Sequence, residues 1–468
     1  VLPLPKKTKS AHAFCYEAGF IIRPELSSGL LFARGGTPAW ELDPYHTDFL
    51  RLLYLGSGYE QACSAVEQIH CLEEFQPEVE ILHQIGVLTH TAQTQNLPES
   101  IFADLLAKVI SERSKAQKLK CLAAPSSLTL YVTMKCQQDC GFCFLSRQVK
   151  ALPQKIGLTD WFLVMEQAFD MGVPGLAVLG GEPALYPHLP EIIKKAGELN
   201  LPLALTTNGL FLPESLLVAL EKNPNSLICL SLESPSQKLH EKIVGQSDHL
   251  VFKNLQTLSK RGIRFNVNTI GLGQPIEDLK AIYDLCAELG AEVWFLNLLY
   301  RNGRSETFFP GNLWYAKTDQ ALRSYVAEKN ASTSYQLFGC QLYWTYTKSQ
   351  CQAKTHPTRY NKLISGCSAG AYPLEILPTG EVLPCINLPY PKYVAGNITE
   401  NRLEDIWLNS PVLNDIRHKT KLPEQCLDCH LAKVCQGGCL ARRIKPHDPL
   451  VNLPDRLCPV VNQEDLVS

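Results

Sequence analysis

The pattern of apolar and polar positions changes character along the chain, and each change marks a region. Up to about residue 95, apolar runs at 18–23 and 29–33 flank a Pro/Ser/Gly turn and read as two strands. Three helical stretches follow. Residues 46–55 carry Phe49, Leu50, Leu52 and Leu53, and Gly56-Ser57-Gly58 breaks the run. Residues 59–71 repeat Ala62, Ala65, Val66 and Ile69 at helical spacing. Residues 75–85 carry Val79, Leu82 and Ile85 before Gly86, a C-cap position. Residues 96–125 predict a helical linker, with an apolar-periodic run through Ile110 and a basic segment at 115–120.

From Ser127 the period alternates between two and 3.6. Strands are predicted at 128–133, 176–179, 203–207, 227–232, 265–270 and 293–298, with helices at 160–171, 189–199, 213–220, 250–260 and 276–289. Alternation of this kind builds a parallel sheet with right-handed crossovers. Six units fall short of the eight of a closed barrel. The fold class is therefore α/β, with a partial (β/α)6 TIM barrel over 126–305. The segment 306–365 is polar and aromatic and reads as a bridging region of helices joined by loops. From 366 to 468 the chain is rich in Cys, Pro and Gly, so it cannot build a large core and needs metal staples. Residues 1–95, strands followed by three short helices, form a winged-helix-like module.

Composition narrows the function. A length of 468 residues suggests several domains. The net charge of −2 provides no basic field for nucleic acid or an anionic membrane. No apolar run approaches the roughly 18–20 residues of a membrane-spanning helix. No apolar stretch follows Lys6 and Lys7, so no signal peptide is expected and a cytoplasmic setting is. Between Glu41 and His90 there are nine acidic residues and one basic residue, Arg51, a net of −8 that argues against a DNA-binding winged helix.

The chain has 18 cysteines. Ten crowd into two places, three at 136–143 and seven at 367–458, which favours metal ligation over disulfides. Cys136-x3-Cys140-x2-Cys143 follows the first strand of the alternating region, at the edge where parallel α/β folds place their sites. Three thiolates on a short loop can hold three irons of a 4Fe–4S cube and leave the fourth iron open. Zinc would want a fourth protein ligand, and none lies nearby in sequence.

This arrangement resembles the radical S-adenosylmethionine (SAM) superfamily over roughly residues 127–304. In that family the open iron chelates SAM, and one electron from the cluster yields a 5′-deoxyadenosyl radical. The cofactor supplies the chemistry and the protein supplies orientation and exclusion of water. The resemblance implies SAM contacts at Phe142, Gly180, Gly181, Glu182, Asn208, Ser231 and Asn268, which sit beside the third cysteine and on successive strand ends. The glycines of Gly180-Gly181-Glu182-Pro183 would let backbone approach a ligand, and Glu182 could accept from an ammonium. Arg301-Asn302-Gly303-Arg304 closes the sixth strand like the family's Pro-x-Gly-Arg turn. Two departures stand out. The fourth strand ends Ser231-Leu232-Glu233-Ser234 where the family prefers Ser-Leu-Asp-Gly, and Val244 stands where many relatives carry an Arg for the SAM carboxylate, leaving Lys242 as a replacement cation.

The second set is Cys367-x12-Gly380-x4-Cys385, then Cys426-x2-Cys429-x5-Cys435-x3-Cys439, then Cys458, with Gly396-Asn397-Ile398 and Ile406-Trp407 between. It resembles the SPASM domain, which adjoins radical SAM cores that act on peptides. The resemblance implies two auxiliary 4Fe–4S clusters. Cys426, Cys429, Cys435 and Cys458 would hold the distal one. Cys367, Cys385 and Cys439 would hold the nearer one, with Cys351 as fourth ligand, Cys340 in reserve, or an open iron. Two zinc ions are the alternative from residue chemistry alone. Residues 1–95 resemble a RiPP recognition element, which binds the leader of a ribosomally made precursor peptide by adding its strand to a sheet edge.

Together these resemblances imply a peptide maturase with three 4Fe–4S clusters, SAM, a precursor peptide as partner, and an electron donor such as flavodoxin or ferredoxin. An intramolecular carbon–carbon or thioether crosslink is the expected product, with epimerisation or backbone excision as alternatives on the same scaffold. A non-catalytic electron-transfer or zinc-binding protein is the alternative of another class. Anaerobic reconstitution is predicted to load roughly twelve irons and as much sulfide per chain, with little zinc. Elemental analysis checks this, and about four irons with two zincs would remove the auxiliary clusters.

Overall fold

The structure is a computed structural model that describes residues 13–16, 21–25, 28–32, 38–77, 79–84, 87–91, 96–119, 121–245, 250–300, 305, 308, 310–329, 331–338, 366–419, 422–429, 432–443, 453–455 and 458. The chain divides into two units, Val1–Ala123 and Ala124–Ser468. Among the described residues no helix is long and apolar enough to cross a membrane.

The first unit contains β1 (Ala13–Tyr16), β2 (Ile21–Glu25), β3 (Ser28–Phe32), β4 (Pro38–Leu42), α1 (Pro44–Tyr54), α2 (Tyr59–His70), α3 (Val79–Gln84), β5 (Leu88–Thr91) and α4 (Glu99–Ala116). Strands β2, β3 and β4 form an antiparallel sheet, and β1 pairs with β5. Asp43 caps α1 by accepting from the His46 N–H at 2.8 Å. The apolar face of α1 (Phe49, Leu50, Leu52) packs with Leu31, Ala62 and Val66. Two of these strands were predicted. The others are four or five residues long without sustained alternation, and β1 and β5 find each other across most of the unit. The expected helical linker is helical, but its Val109 is buried in this same core, with Phe102 and Leu106 packed on it. Arg51 of α1 pairs with Glu112 of α4, and buried Asp48 pairs with Arg113 and, at 2.8 Å, with His70. So α4 is a structural member of the first unit.

The second unit runs β6 (Ser127–Tyr131), α5 (Arg147–Lys150), α6 (Leu158–Asp170), β7 (Leu176–Leu179), α7 (Leu189–Glu198), β8 (Leu203–Thr207), α8 (Glu214–Lys222), β9 (Ser226–Ser231), α9 (Gln237–Val244), α10 (Leu250–Arg261), β10 (Phe265–Ile270), α11 (Ile276–Leu289) and β11 (Val293–Asn297). It continues through α12 (Asn312–Lys329), β12 (Ser334–Phe338), β13 (Pro373–Ile376), β14 (Glu381–Leu383), β15 (Gly396–Asn397), α13 (Leu403–Asn409), α14 (Pro411–Lys419), α15 (Ala432–Cys435) and α16 (Leu440–Arg443). The six predicted strands, β6 to β11, lie side by side in chain order and all parallel. Leu128, Leu130, Val178, Leu205, Ile228, Leu230, Val267 and Trp294 fill their interior.

The sheet is wider than the six-strand expectation. Strand β12 joins β11 in parallel, from the segment read as helices and loops. Its Tyr335 is buried while Ser334 and Gln336 are exposed, so the pattern is an edge-strand alternation that a polar, aromatic composition concealed. At the other side β13 pairs in parallel with β6, and β14 and β15 follow antiparallel, giving among the described residues ten strands in the order β12-β11-β10-β9-β8-β7-β6-β13-β14-β15. The Cys-rich region therefore begins as an extension of the barrel sheet, with Leu374 opposite Leu128 and Ile376 opposite Leu130. A buried hydrogen bond adds a second tie, from the Leu403 N–H at the start of α13 to Gln167 Oε1 of α6 at 2.8 Å.

Replacing that acceptor isolates the Leu403 N–H. Gln167→Leu is expected to destabilise the second unit by about 1–3 kcal/mol, read by urea denaturation of the metal-free chain, while Gln256→Leu, at an exposed position of α10, leaves the midpoint unmoved.

Candidate active site and cysteine clusters

The loop after β6 turns tightly, with the Cys143 N–H donating to Cys140 O at 3.2 Å. It is held from below by the loop after β7. Gly181 N donates to Thr133 O at 2.8 Å, and Glu182 N donates to Lys135 O at 2.7 Å. A Cβ on Gly180 would collide with Thr133 O, and one on Gly181 with Met134 O and Lys135 O. The close approach that demands these glycines is made by the chain's own backbone, in addition to any ligand. On the other side of the cysteine loop, a Cβ on Gly141 would stand 2.9 Å from Phe308 Cζ. Phe142 is half-buried beside it.

Glu182 is buried, and its carboxylate is occupied by the protein. Oε1 accepts from Ala184 N at 2.9 Å and from Thr207 Oγ1 at 2.6 Å, and Oε2 accepts from Asn208 N at 2.7 Å. It ties the β7 and β8 strand ends together. Burial raises its pKa, and the three hydrogen bonds oppose that shift. Asn208 Oδ1 accepts from Leu210 N at 3.0 Å and from Gln137 Nε2 at 3.4 Å. Its Nδ2 is buried without a hydrogen-bond partner among the described residues. Ser231 and Asn268 are cross-strand partners on β9 and β10. Lys242 is exposed on α9.

The C-terminal cysteines fall into two neighbourhoods. Cys426 and Cys435 lie within electrostatic reach of each other and of both Cys429 and Cys458. The Cys367 thiol donates to Cys439, and Cys385 lies beside them. The link between the neighbourhoods is the turn Cys435-Gln436-Gly437-Gly438-Cys439, with Gln436, Gly437 and Gly438 all at positive φ. Cys458 is carried back to its group by Asp455, which bonds Cys439 N at 2.9 Å and pairs with buried Arg442 at 2.6 Å. The motif glycines also meet their partners. A Cβ on Gly380 would stand 2.6 Å from Asn397 Oδ1, and one on Gly396 would stand 2.9 Å from Ile406. Cys340, Cys351 and the 301–304 turn lie outside the described residues.

Comparison with known proteins fits this geometry. Residues 130–286 match the radical SAM superfamily, and residues 367–430 match SPASM, an iron–sulfur cluster-binding domain. The chain carries a radical SAM domain and a SPASM domain. Among curated relatives, an AdoMet-dependent heme synthase of Oleidesulfovibrio alaskensis is 24% identical over 66% of this chain and 81% of its own length. The PqqA peptide cyclase of Gluconobacter oxydans is 27% identical over 67% of this chain and 85% of its own. Streptococcus suis SuiB with S-adenosylmethionine shares the fold over 95% of this chain and 99% of its own, with a TM-score of 0.80 at 24% identity.

The thiols of this radical SAM/SPASM chain fit iron–sulfur ligation by their chemistry. Burial, then Glu233 and the sibling thiols, push Cys140 up to about 12, and burial raises Cys136. Burial first, then Asp455 and its neighbours, push Cys435 up to about 12. Cations that accept thiolate would remove these penalties. Among the described residues no three His, Cys, Asp or Glu side chains converge at metal-binding spacing, so the thiols are grouped but not preassembled as a cage. The unpartnered Asn208 Nδ2 is a buried donor at the strand ends of the kind SAM would need.

Two carboxyls were given no role by the sequence reading. Glu233 is buried just after β9, accepts from Ile270 N at 2.7 Å, and burial pushes it up to about 8. The unusual Ser231-Leu232-Glu233-Ser234 was its only signal. Glu375 of β13 bonds buried Tyr131 and accepts from Ile386 N, next to Cys385, at 3.0 Å. Burial pushes it up to about 7. It was invisible because β13 was.

Glu182→Gln should expose the role of that carboxylate. An amide cannot accept at both ends, so either Asn208 N or the Ala184 and Thr207 donors lose their partner. A destabilisation of about 1–3 kcal/mol is expected by denaturation of the metal-free chain. SAM affinity of the reconstituted protein, read by equilibrium dialysis, is expected to fall about tenfold or more.

Proposed function

We propose that this radical SAM/SPASM chain modifies a ribosomally made precursor peptide, forming a carbon–carbon or thioether crosslink within it. The observation that carries this reading is the first unit, an antiparallel sheet with packed helices placed ahead of the two iron–sulfur domains. The fold likeness to SuiB extends over 95% of the chain, and SuiB has been solved with its precursor peptide SuiA. The PqqA peptide cyclase is a second peptide-modifying relative.

In this reading residues 1–95 bind the leader. The three-stranded sheet has β2 and β4 at its edges among the described residues, and an edge strand offers backbone groups to an added strand. Leader capture raises the effective concentration of the core peptide at the sheet mouth. Cys136, Cys140 and Cys143 hold the SAM-binding cluster. Phe142, Gly180, Gly181, Asn208, Ser231 and Asn268 surround SAM, and Glu182 fixes the loops that present them. Cys426, Cys429, Cys435 and Cys458 hold one auxiliary cluster. Cys367, Cys385 and Cys439 hold the other, with Cys351, Cys340 or an open iron completing it. When bound, these groups supply a 5′-deoxyadenosyl radical that takes a hydrogen atom from the peptide and a route for the electron left over when the new bond forms. A flavodoxin or ferredoxin supplies the first electron.

A second reading has its own observation, the likeness to AdoMet-dependent heme synthases. One experiment separates them. The reconstituted chain is given SAM, reductant and either a precursor peptide encoded beside it or an iron-bound tetrapyrrole. A crosslink is expected as loss of two hydrogens from the peptide, with 5′-deoxyadenosine formed in step. Deuterium uptake without mass loss would mean epimerisation, a shortened backbone would mean excision, and turnover of the tetrapyrrole alone would overturn the peptide reading.

A further inference from the structure

A half-buried carboxyl stands where the loop of the first cysteine group meets the turn that carries Cys385. Strand register places it. Thr129 of β6 is level with Glu375 of β13 and with Ala177 of β7. Ala177 is level with Ala204 of β8, and Ala204 with Leu227 of β9. Four residues further along β9, Ser231 is level with Asn268 of β10. Side chains alternate along a strand, so Glu375, Thr129, Ser231 and Asn268 share one face of the sheet. These four are half-buried, whereas Leu128, Leu130, Leu374 and Ile376 on the opposite face are fully buried. Tyr131, on the same face as Glu375, donates from its hydroxyl to the carboxylate. Glu375 Oε2 also accepts from Ile386 N at 3.0 Å. Tyr131, Leu145, Leu383 and Ile386 belong to one apolar cluster, on which Cys143 and Phe144 pack. Cys385 lies within electrostatic reach of the Tyr131 phenol. The carboxyl thus lies between the cysteine loop after β6 and Cys385.

Forming a crosslink removes two hydrogens from the peptide. The adenosyl radical takes the first as an atom. When the carbon radical closes on a second side chain, that side chain must give up a proton and an electron. The two acceptors are best placed side by side, and the proton acceptor must be a base near neutral pH. Glu182 is already held by three donors of the chain, and Glu233 acts on Cys140, at the SAM loop. Glu375 is partly open to solvent, and burial pushes it up to about 7, so it can both take and release a proton. We propose that Glu375 is the proton acceptor of the bond-forming step. The new bond joins the peptide's carbon radical to the second side chain, and the bond from that side chain to its hydrogen breaks. The proton passes to the Glu375 carboxylate and the electron to the iron–sulfur cluster held beside Cys385. The carboxylic acid then returns its proton to solvent. Tyr131 and the Ile386 N–H hold the carboxylate in place throughout. This rests on the reading that the chain crosslinks a precursor peptide and that the Cys367, Cys385 and Cys439 group holds a cluster.

The experiment uses the full reconstituted chain with SAM, reductant and the precursor peptide encoded beside it, prepared with deuterium on carbon. A parent chain that forms no crosslink defeats the peptide reading, and the proposal with it. Given a crosslinking parent, Glu375→Gln is compared with it, because the amide oxygen can still accept from Ile386 N. Iron content, the electron paramagnetic resonance of the auxiliary clusters and SAM affinity by equilibrium dialysis are expected to stay parental. Deuterium is expected to enter 5′-deoxyadenosine as before, while crosslinked peptide falls by about a hundredfold. Crosslinking undiminished in Glu375→Gln would overturn the proposal. So would an equal loss of deuterium transfer, which would place Glu375 ahead of the proton step. If Glu375→Gln loses iron, Glu375→Asp is read in its place. Slowed crosslinking there, with parental iron and deuterium transfer, supports the proposal. Any other result in Glu375→Asp, loss of iron included, overturns it.

Discussion

The mouth of the sheet depends on one close contact between two backbones. The chain leaving β6 at Thr133–Lys135 and the chain leaving β7 at Gly180–Glu182 touch without side chains between them, joined by two hydrogen bonds. That contact fixes where the Cys136–Cys143 loop begins. It also fixes where Glu182 enters the interior to receive Thr207 and Asn208. Three successive strand ends are thereby locked into one surface. Parallel sheets gather their loops at this edge because every strand ends there, but the edge alone does not set the positions of the loops. Here the backbone contact and the buried carboxylate do so.

The same constraint explains the tension in the cysteine loops. Thiols held in half-buried loops lose hydration, and neighbouring thiolates repel. Burial accordingly shifts Cys140 and Cys435 upward in the metal-free chain. Cys439 is shifted the other way, because the Cys367 thiol donates to it and Arg442 lies near. Among the described residues the C-terminal region has a small apolar cluster of its own, around Ala369, Leu388, Tyr393, Ile416 and Leu440. It compensates by borrowing the barrel. Strand β13 takes its place beside β6, and α13 hydrogen-bonds to α6 through Gln167. Cys367 and Cys385, which flank β13 and β14, are thereby tied to the sheet that carries the Cys136–Cys143 loop.

Legibility varied with the range of the interactions involved. Strands β6 to β11 were readable because each is a short apolar run between amphipathic helices, a signal contained in a dozen residues. The cysteine groups were readable because ligand spacing is local. Strands β1, β4, β5, β12 and β13 were not, since their partners lie far away in sequence and their own composition is mixed. Gly180 and Gly181 were noticed as glycines, but the atoms that require them belong to residues 133–135. Glu233 showed only as a departure from the family's fourth-strand pattern and Glu375 carried no pattern, and their raised pKa values come from burial that only packing creates.

The sequence by itself determined the chemistry on offer. It specified which thiols occur at which spacing, which strand ends carry polar groups, and the alternation that makes a parallel sheet. Tertiary structure decided how those pieces are joined. It set β13 against β6, brought Cys458 back through Asp455 and turned Glu182 inward as a tie. The reason is physical. Spacing along a chain records what neighbours can do together, whereas burial and charge proximity arise only when distant segments share one volume.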